Sequence, residues 1–352
     1  MAHARLWRTA LAVRSCAGVE DSGMTDALRL DHVRKTFGSA TAIHDLDLRV
    51  PTGALYGVIG PNGAGKTTMI RLIMSILFPD SGELTVLGRR SALDAKDRIG
   101  YLPEERGVYR KMRVGAFLAY MARLKGVEGT AVPLRVKRSL ERVELGSVEK
   151  KRCEELSKGM LQKVQFLAAI IHEPDLLILD EPFSGLDPVS SRLLRDLVQE
   201  EHRRGATILF STHAMTQAED LCEHVVMIHR GRKVMDDTVA SIRRRYDPRT
   251  IRLEPLDSSA DLSPLRQLAA VERIDPAAGL PRWNATVYDI RLLEGSDPGA
   301  AIRQIASMVT PARLEVARPR LEDIFMSIVS AGREPSPELR SALEQGSSEA
   351  AV

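Results

Sequence analysis

One nine-residue segment constrains the fold of this chain more than any other. It consists of Gly60, Pro61, Asn62, Gly63, Ala64, Gly65, Lys66, Thr67 and Thr68, hereafter the phosphate loop. The pattern is Gly, four residues and Gly-Lys-Thr, and it follows an apolar run at 55–59. Glycines let the backbone curl until several N–H groups face one anion, and the next helix adds its positive N-terminal end. The segment predicts an α/β fold with a nucleoside triphosphate site.

Four side chains are predicted to do chemistry around this loop. Lys66 can reach the β- and γ-phosphates, and the Thr67 hydroxyl can ligate Mg²⁺. Asp180 and Glu181 follow the apolar run 176–179. There Asp180 can hold Mg²⁺ through its water shell, and Glu181 can act as general base on the attacking water. An acidic strand end before a turn is also common without any catalytic role, but the phosphate loop upstream favours the functional interpretation.

Composition excludes several other classes of protein. The chain has 352 residues, of which 44% are hydrophobic and 28% charged, as in globular proteins of more than one domain. A net charge of +3 is too small to indicate nucleic-acid binding by itself. Cys16, Cys153 and Cys222 have no paired spacing, which argues against a zinc site or a disulfide framework and fits a reducing cytosol. The best apolar stretch, 166–179, is interrupted by polar residues and is shorter than the roughly 18 residues of a membrane-spanning helix.

The order of helical and strand patterns predicts several units along the chain. Alternating helices and buried strands over 24–246 indicate a doubly wound α/β core, with a helical subdomain inserted at about 104–160. Residues 249–330 follow the order of a small ferredoxin-like α+β domain. We expect residues 1–23 to be an unstructured extension upstream of Met24; a targeting peptide is the alternative, which the interrupted apolar stretch disfavours. Residues 331–352, rich in Ser, Glu, Pro and Ala, are expected to be a disordered tail.

Further motifs follow the phosphate loop in a fixed order. The text at 156–162 reads Leu-Ser-Lys-Gly-Met-Leu-Gln, and Ser157 lies 91 residues after Lys66. Residues 184–187 read Ser-Gly-Leu-Asp, and 211–213 read Ser-Thr-His. Over about residues 28–240 the chain resembles the ATP-binding-cassette (ABC) family, whose signature, D-loop and switch histidine these segments match.

The resemblance implies an ATPase that uses ATP and Mg²⁺. The signature residues of a partner subunit would complete each nucleotide pocket, so it implies a homodimer, or a heterodimer with a related cassette. His213 would contact the γ-phosphate and keep the water and Glu181 aligned. The nucleotide-binding residues that it assigns beyond the phosphate loop are Phe37, stacked on adenine, and Ser157, Gly159, Gln162 and Asp187. It also implies a separate membrane permease as partner, and a cytoplasmic location, peripheral on the inner face of the cell membrane.

One residue departs from the family pattern. Where the family has Gln after Gly-Tyr-Leu-Pro, this chain has Glu104. We expect Glu104 to ligate Mg²⁺ together with Thr67 and Asp180, because a carboxylate is a harder ligand than an amide. The text Leu-Pro-Glu-Glu-Arg-Gly at 102–107, with the closing element 321–325, is similar to bacterial subunits that pair with type 2 permeases, including sodium-exporter-like ones. Sodium as substrate is an analogy only.

Two other functions compete with the peripheral ATPase of an exporter. A soluble cassette acting on DNA would carry coiled coils or zinc fingers between loop and signature, for which 91 residues leave no room, and translation cassettes hold two such domains in one chain. A catalytically inactive scaffold is disfavoured by Glu181 and His213. The basic run 243–245 could touch nucleic acid or anionic lipid, but a solvated helix face explains it better, so we predict no nucleic-acid partner.

Overall fold

The computed structural model describes residues 25–104, 107–245, 250–277, 287–317 and 320–330. The strands are β1 (Asp26–Phe37), β2 (Ala40–Pro51), β3 (Leu55–Ile59), β4 (Ser81–Val86), β5 (Ile99–Leu102), β6 (Leu176–Asp180), β7 (Thr207–Thr212), β8 (His224–His229), β9 (Arg232–Thr238), β10 (Thr250–Pro255), β11 (Val271–Pro276), β12 (Tyr288–Leu292) and β13 (Pro311–Val316). The α-helices are α1 (Lys66–Ile73), α2 (Val114–Leu124), α3 (Val132–Arg142), α4 (Lys158–Ile170), α5 (Pro188–Arg203), α6 (Met215–Leu221), α7 (Val239–Arg245), α8 (Pro298–Met308) and α9 (Leu321–Ser330). Short 3₁₀ helices span Ala92–Arg98, Gly146–Val148, Cys153–Glu155 and Ser263–Gln267.

A six-stranded sheet forms the centre of the fold. Its order is β5-β6-β7-β3-β8-β9, and all pairs are parallel except the hairpin of β8 with β9. Every residue of β3, β6 and β7 is buried, which explains why these strands read as continuous apolar runs. Along β3, Leu55 and Ile59 pack into one hydrophobic cluster while Tyr56 and Val58 pack into another, so helices or strands cover both faces. The predicted doubly wound core is confirmed.

This topology brings the predicted chemistry to one edge of the sheet. The carboxyl ends of adjacent parallel strands meet at the same edge. β3 ends at the phosphate loop, β6 ends at Asp180, and β7 ends one residue before His213. Three segments that are far apart in sequence therefore converge there.

Two smaller units flank the central sheet. Strands β2, β1 and β4 form an antiparallel sheet that shares its hydrophobic cluster with α1, and Phe37 ends β1. Helices α2 and α3 pack against each other and α4, and all three add buried residues such as Phe117, Leu140 and Phe166 to the other cluster. The predicted helical subdomain corresponds to these helices, with α4 continuing beyond it to Ile170.

The carboxyl-terminal strands form a separate four-stranded antiparallel sheet. Its order, β11-β12-β10-β13, is that of a ferredoxin-like fold. The first predicted helix is only the 3₁₀ helix Ser263–Gln267, and α8 covers the same core of residues such as Ile251, Leu253 and Ile290.

The last helix of the predicted 249–330 unit packs elsewhere. Leu321, Ile324 and Phe325 of α9 are buried in the cluster of the six-stranded sheet, and α9 contacts α6. The backbone N–H of Leu321 donates to the Glu219 carboxylate of α6. The chain therefore returns to the core of the six-stranded sheet after the four-stranded sheet.

Two predicted segments, 1–23 and 331–352, lie outside the described residues. Within the described ranges no helix combines the length and the apolar character needed to cross a bilayer.

Candidate active site

The phosphate loop joins β3 to α1 in a conformation that needs glycine at two positions. A Cβ on Gly60 would lie 2.2 Å from the Ile228 carbonyl oxygen, and Gly65 has φ 109° with the Ala42 carbonyl oxygen 2.8 Å from an added Cβ. Gly65 is also the N-cap of α1, and no side chain caps that end. The first-turn N–H groups are thus left for an external acceptor, and their positive end suits an anion such as phosphate.

Lys66 is a buried cation at the start of α1. Only 6% of the residue is exposed; its Nζ donates to the carbonyl oxygens of Gly60 (2.7 Å) and Pro61 (3.3 Å) and lies 3.6 Å from Oε1 of Glu181. Burial lowers the pKa of Lys66, whereas the nearby carboxylates of Glu181 and Asp180 oppose that shift. The ammonium is held by the loop itself, where a bound phosphate would meet it.

Asp180 is buried at the end of β6 and is shared by two hydroxyls. Its Oδ1 accepts a hydrogen bond from Ser211 Oγ at 2.5 Å and one from Thr67 Oγ1 at 3.5 Å. Its Oδ2 is buried and has no hydrogen-bond partner among the described residues. Burial raises the pKa of Asp180, and the two hydroxyl donors lower it in part. A half-satisfied buried carboxylate beside a threonine hydroxyl is a donor set that a hard divalent cation would complete.

Glu181 occupies a strained position between two basic groups. Its φ of 49° is rare for a residue other than glycine and costs on the order of 1–3 kcal/mol, so the surroundings must hold it. Its N–H lies 3.2 Å from both the carbonyl oxygen and the Oγ of Ser211 on β7. The carboxylate is buried, with Oε1 3.0 Å from Nδ1 of His213 and 3.6 Å from Nζ of Lys66. One carboxylate oxygen therefore faces both the lysine of the loop and the histidine after β7.

The turn that carries His213 is fixed by its neighbour. The buried Thr212 hydroxyl accepts the N–H of Ala214 at 3.1 Å and donates to Oε1 of Gln217 at 3.0 Å. Gln217 belongs to α6, which starts two residues after His213. This pair of bonds ties the histidine between the end of β7 and the start of α6.

A second group of predicted residues lies at the N-termini of α4 and α5. Ser157 caps α4, its Oγ accepting the Met160 N–H at 3.3 Å, and Asp187 caps α5 through Ser190 N–H at 2.9 Å. A Cβ on Gly159 would lie 3.8 Å from Asp187 Oδ2, so the two caps are neighbours. Ser157 and Asp187 are exposed, and the 13-residue helix α4 presents its positive end to the surface.

Gln162 does not belong to that exposed group. It is only 7% exposed, and its Nε2 donates to the Pro182 carbonyl oxygen of its own chain at 2.6 Å. The contact of Gln162 with a nucleotide on another subunit stays a prediction, since this hydrogen bond lies within one chain. At five positions after the cap, this residue of α4 faces inward.

The other predicted residues lie around the loop or beside it. Pro61 and Ala64 are buried, Thr68 is half-buried, and Asn62 and Gly63 are exposed. Glu104 lines a cavity of about 50 Å³ together with residues that include Asp180 and Glu181. Phe37 is 48% exposed, with Lys35 Nζ 5.6 Å from the ring centroid, so the side chain is accessible to a ligand.

Two residues of the site were missed by sequence reasoning. Ser211 connects Asp180 to the backbone of Glu181, and Gln217 anchors the turn of His213. Ser211 belongs to the Ser-Thr-His segment at 211–213, on a buried strand. Successive side chains of a strand point to opposite faces, so the alternation of Ser211 with Thr212 was the available signal. Gln217 lies in an ordinary polar stretch of α6 and carried no signal.

Comparisons with known proteins agree on one family. The model of the ABC transporter family matches residues 43–184. An uncharacterized ABC transporter ATP-binding protein, YhaQ of Bacillus subtilis, is 38% identical over 86% of this chain and 99% of its own length. Nod factor export ATP-binding protein I of Cupriavidus metallidurans is 36% identical over 60% of this chain and 71% of its own. A solved ATP-binding subunit of an ABC transporter, 31% identical, superposes with a TM-score of 0.59 over 62% of this chain and 93% of its own.

Proposed function

This chain belongs to the ATP-binding proteins of ABC transporters, and from that membership we propose that it energises an exporter with Glu181 as the general base of ATP hydrolysis. One observation supports Glu181 as the base. Its Oε1 lies 3.0 Å from His213 Nδ1 and 3.6 Å from Lys66 Nζ. A carboxylate so placed can take a proton from water while His213 orients the reacting groups. Lys66 and the first-turn N–H groups of α1 stabilise the charge on the phosphates.

Mg²⁺ is proposed as the metal of this site. Thr67 Oγ1 and the carboxylate of Asp180, whose Oδ2 has no partner among the described residues, are hard oxygen donors of the kind Mg²⁺ prefers. Glu104 lines the adjacent cavity and is the third proposed ligand. Held by these residues, the ion would supply positive charge that neutralises the negative charge of the phosphates.

A second copy of the chain is the proposed partner in catalysis. The exposed N-terminus of α4, with Ser157 and Gly159, has the dipole and donors that suit a γ-phosphate bound elsewhere. One chain carries both this helix end and a phosphate loop, so two copies related head to tail would complete two equal pockets. Asp187, next to Gly159, would lie at the same interface.

Export through a separate permease follows by similarity. The Nod factor relative is an export subunit by name, and the described residues of this chain include no helix able to cross a membrane. From the similarity to the export subunit, we propose that the chain lies on the inner face of the cell membrane, bound to a permease subunit. Sodium remains an analogy.

Three variants test the assignment of the base. Glu181→Gln is expected to lower the ATP turnover number by about 10²–10⁴-fold while ATP still binds, because only the proton acceptor is lost. Lys66→Ala is expected to weaken ATP binding itself. Glu223→Gln, an exposed carboxylate away from the site, serves as the matched control. A Glu181→Gln protein that hydrolyses ATP at the wild-type rate would overturn the proposal.

A further inference from the structure

We infer that Gln162 is a positioning residue, which holds the backbone after Glu181 and so connects the signature helix α4 to the base within the same chain. The inference rests on the proposed role of Glu181 and extends it. Gln162 lies five residues after Ser157, about 7.5 Å along the helix at 1.5 Å per residue. Its side chain points away from the exposed helix end and into the chain's own core.

Glu181 is held from both sides along the backbone. On the amino-terminal side, its N–H meets Ser211 of β7 at 3.2 Å. On the carboxyl-terminal side, the carbonyl oxygen of Pro182 accepts the Nε2–H of Gln162 at 2.6 Å. Because Glu181 has a left-handed φ of 49°, its side-chain direction depends on restraint of both neighbouring peptide units. Gln162 supplies the restraint that comes from another element, the signature helix α4.

The oxygen of the Gln162 side-chain amide is also buried near the proposed catalytic carboxylates. Its Oε1 is buried without a hydrogen-bond partner among the described residues, and so is Oδ2 of Asp180. Gln162, Asp180, Glu181 and Glu104 all line the cavity of about 50 Å³. A cavity of that size with buried acceptors can hold an ordered water, which would satisfy the amide oxygen and link α4 to the carboxylates.

This arrangement gives a route by which the signature helix can influence hydrolysis. A shift of α4 when a partner's phosphate meets Ser157 would move Gln162, and with it Pro182 and the carboxylate of Glu181. Misplacement of a reacting group by about 1 Å can cost 10²-fold in rate. Gln162 thus acts through Glu181 and need not touch the nucleotide.

Substitutions at 162 separate this role from simple packing. Gln162→Glu keeps the shape of the side chain but replaces the Nε2 donor by a carboxylate oxygen, which accepts. Gln162→Met removes both the donor and the acceptor of the amide. Both variants are expected to lower the turnover number of the full-length protein by about five- to hundredfold, with the ATP dissociation constant and the unfolding temperature little changed. Ser139→Ala is the control, since Ser139 of α3 is a similarly buried polar residue (8% exposed) that does not line this cavity.

A double-mutant cycle decides whether the effect passes through Glu181. In the Glu181→Gln background, Gln162→Met is expected to cause less than a twofold further loss, because the group it positions has been removed. Full multiplication of the two losses, or wild-type turnover in both Gln162 variants while Glu181→Gln is inactive, would overturn the inference alone. Wild-type turnover in Glu181→Gln would instead overturn the proposed function.

Discussion

Replacing Phe325 by Ala is expected to destabilise the nucleotide-binding core, although Phe325 lies 70 residues beyond the end of β10. The ring is fully buried in the cluster of the six-stranded sheet and packs edge-on against His229 with centroids 5.8 Å apart. His229 ends β8, the neighbour of the strand that leads into the phosphate loop. Loss of the ring would therefore leave a cavity inside the core that binds ATP.

The size of the effect follows from that burial. Truncation of a buried Phe to Ala costs about 3–5 kcal/mol in free energy of unfolding. For a unit of 150–250 residues, each kcal/mol lowers the unfolding temperature by about 2–4 °C. The expected shift is therefore roughly 6–20 °C.

Thermal unfolding with and without ATP tests this reasoning. The transition that ATP shifts upward belongs to the nucleotide-binding core, and Phe325→Ala should lower it by that amount. Leu253→Ala is the matched control, because Leu253 is equally buried but belongs to the cluster of the four-stranded sheet. A Phe325→Ala protein whose ATP-linked transition moves by less than about 1 °C would refute the packing of α9 on this core.

Three further predictions concern the site and the pH dependence of stability. Ser211→Ala should lower ATP turnover by about tenfold or more, because it removes the hydroxyl that donates to Asp180 Oδ1 and accepts the Glu181 N–H. Unchanged turnover in a steady-state assay would contradict this. Glu104→Gln should retain ATP binding but change the Mg²⁺ titration of hydrolysis, and superimposable titration curves would dismiss Glu104 as a ligand. Burial lowers the pKa of His172 from 6.5 to about 4, so the stability linked to its neutral form is present above pH 6.5 and is lost as pH falls toward 4. His172→Gln should therefore flatten the plot of unfolding free energy against pH between 6.5 and 4. An unchanged slope in that range would contradict this prediction.

Much of the site could be predicted because its chemistry is local in sequence. The phosphate loop needs glycines at fixed spacing, since Gly60 and Gly65 leave no room for a Cβ, and the requirement is visible as a motif. Asp180 and Glu181 follow a continuous apolar run that reads as a buried parallel strand. Parallel topology then places these segments at one edge without further information.

The parts that sequence reasoning missed depend on contacts between distant segments. The identity of residue 162 does not reveal whether its side chain faces a partner or the core of its own chain. The packing of α4 on β5 and α5 decides which way the side chain points. The sequence of α9 predicts a helix but not which hydrophobic cluster accepts it. By composition, the apolar side chains of α9 would suit the cluster of either sheet. Tertiary packing places Leu321, Ile324 and Phe325 in the cluster of the six-stranded sheet.

The pairing of two chains around ATP is the central claim, and the mass of the Glu181→Gln protein in Mg²⁺ and ATP tests it most directly. Light scattering during gel filtration should give twice the mass of one chain with ATP and one chain mass without it, because slow hydrolysis preserves the phosphates that join Ser157 of one copy to the loop of the other. A protein that binds ATP fully yet retains the mass of a single chain at every concentration would contradict the account.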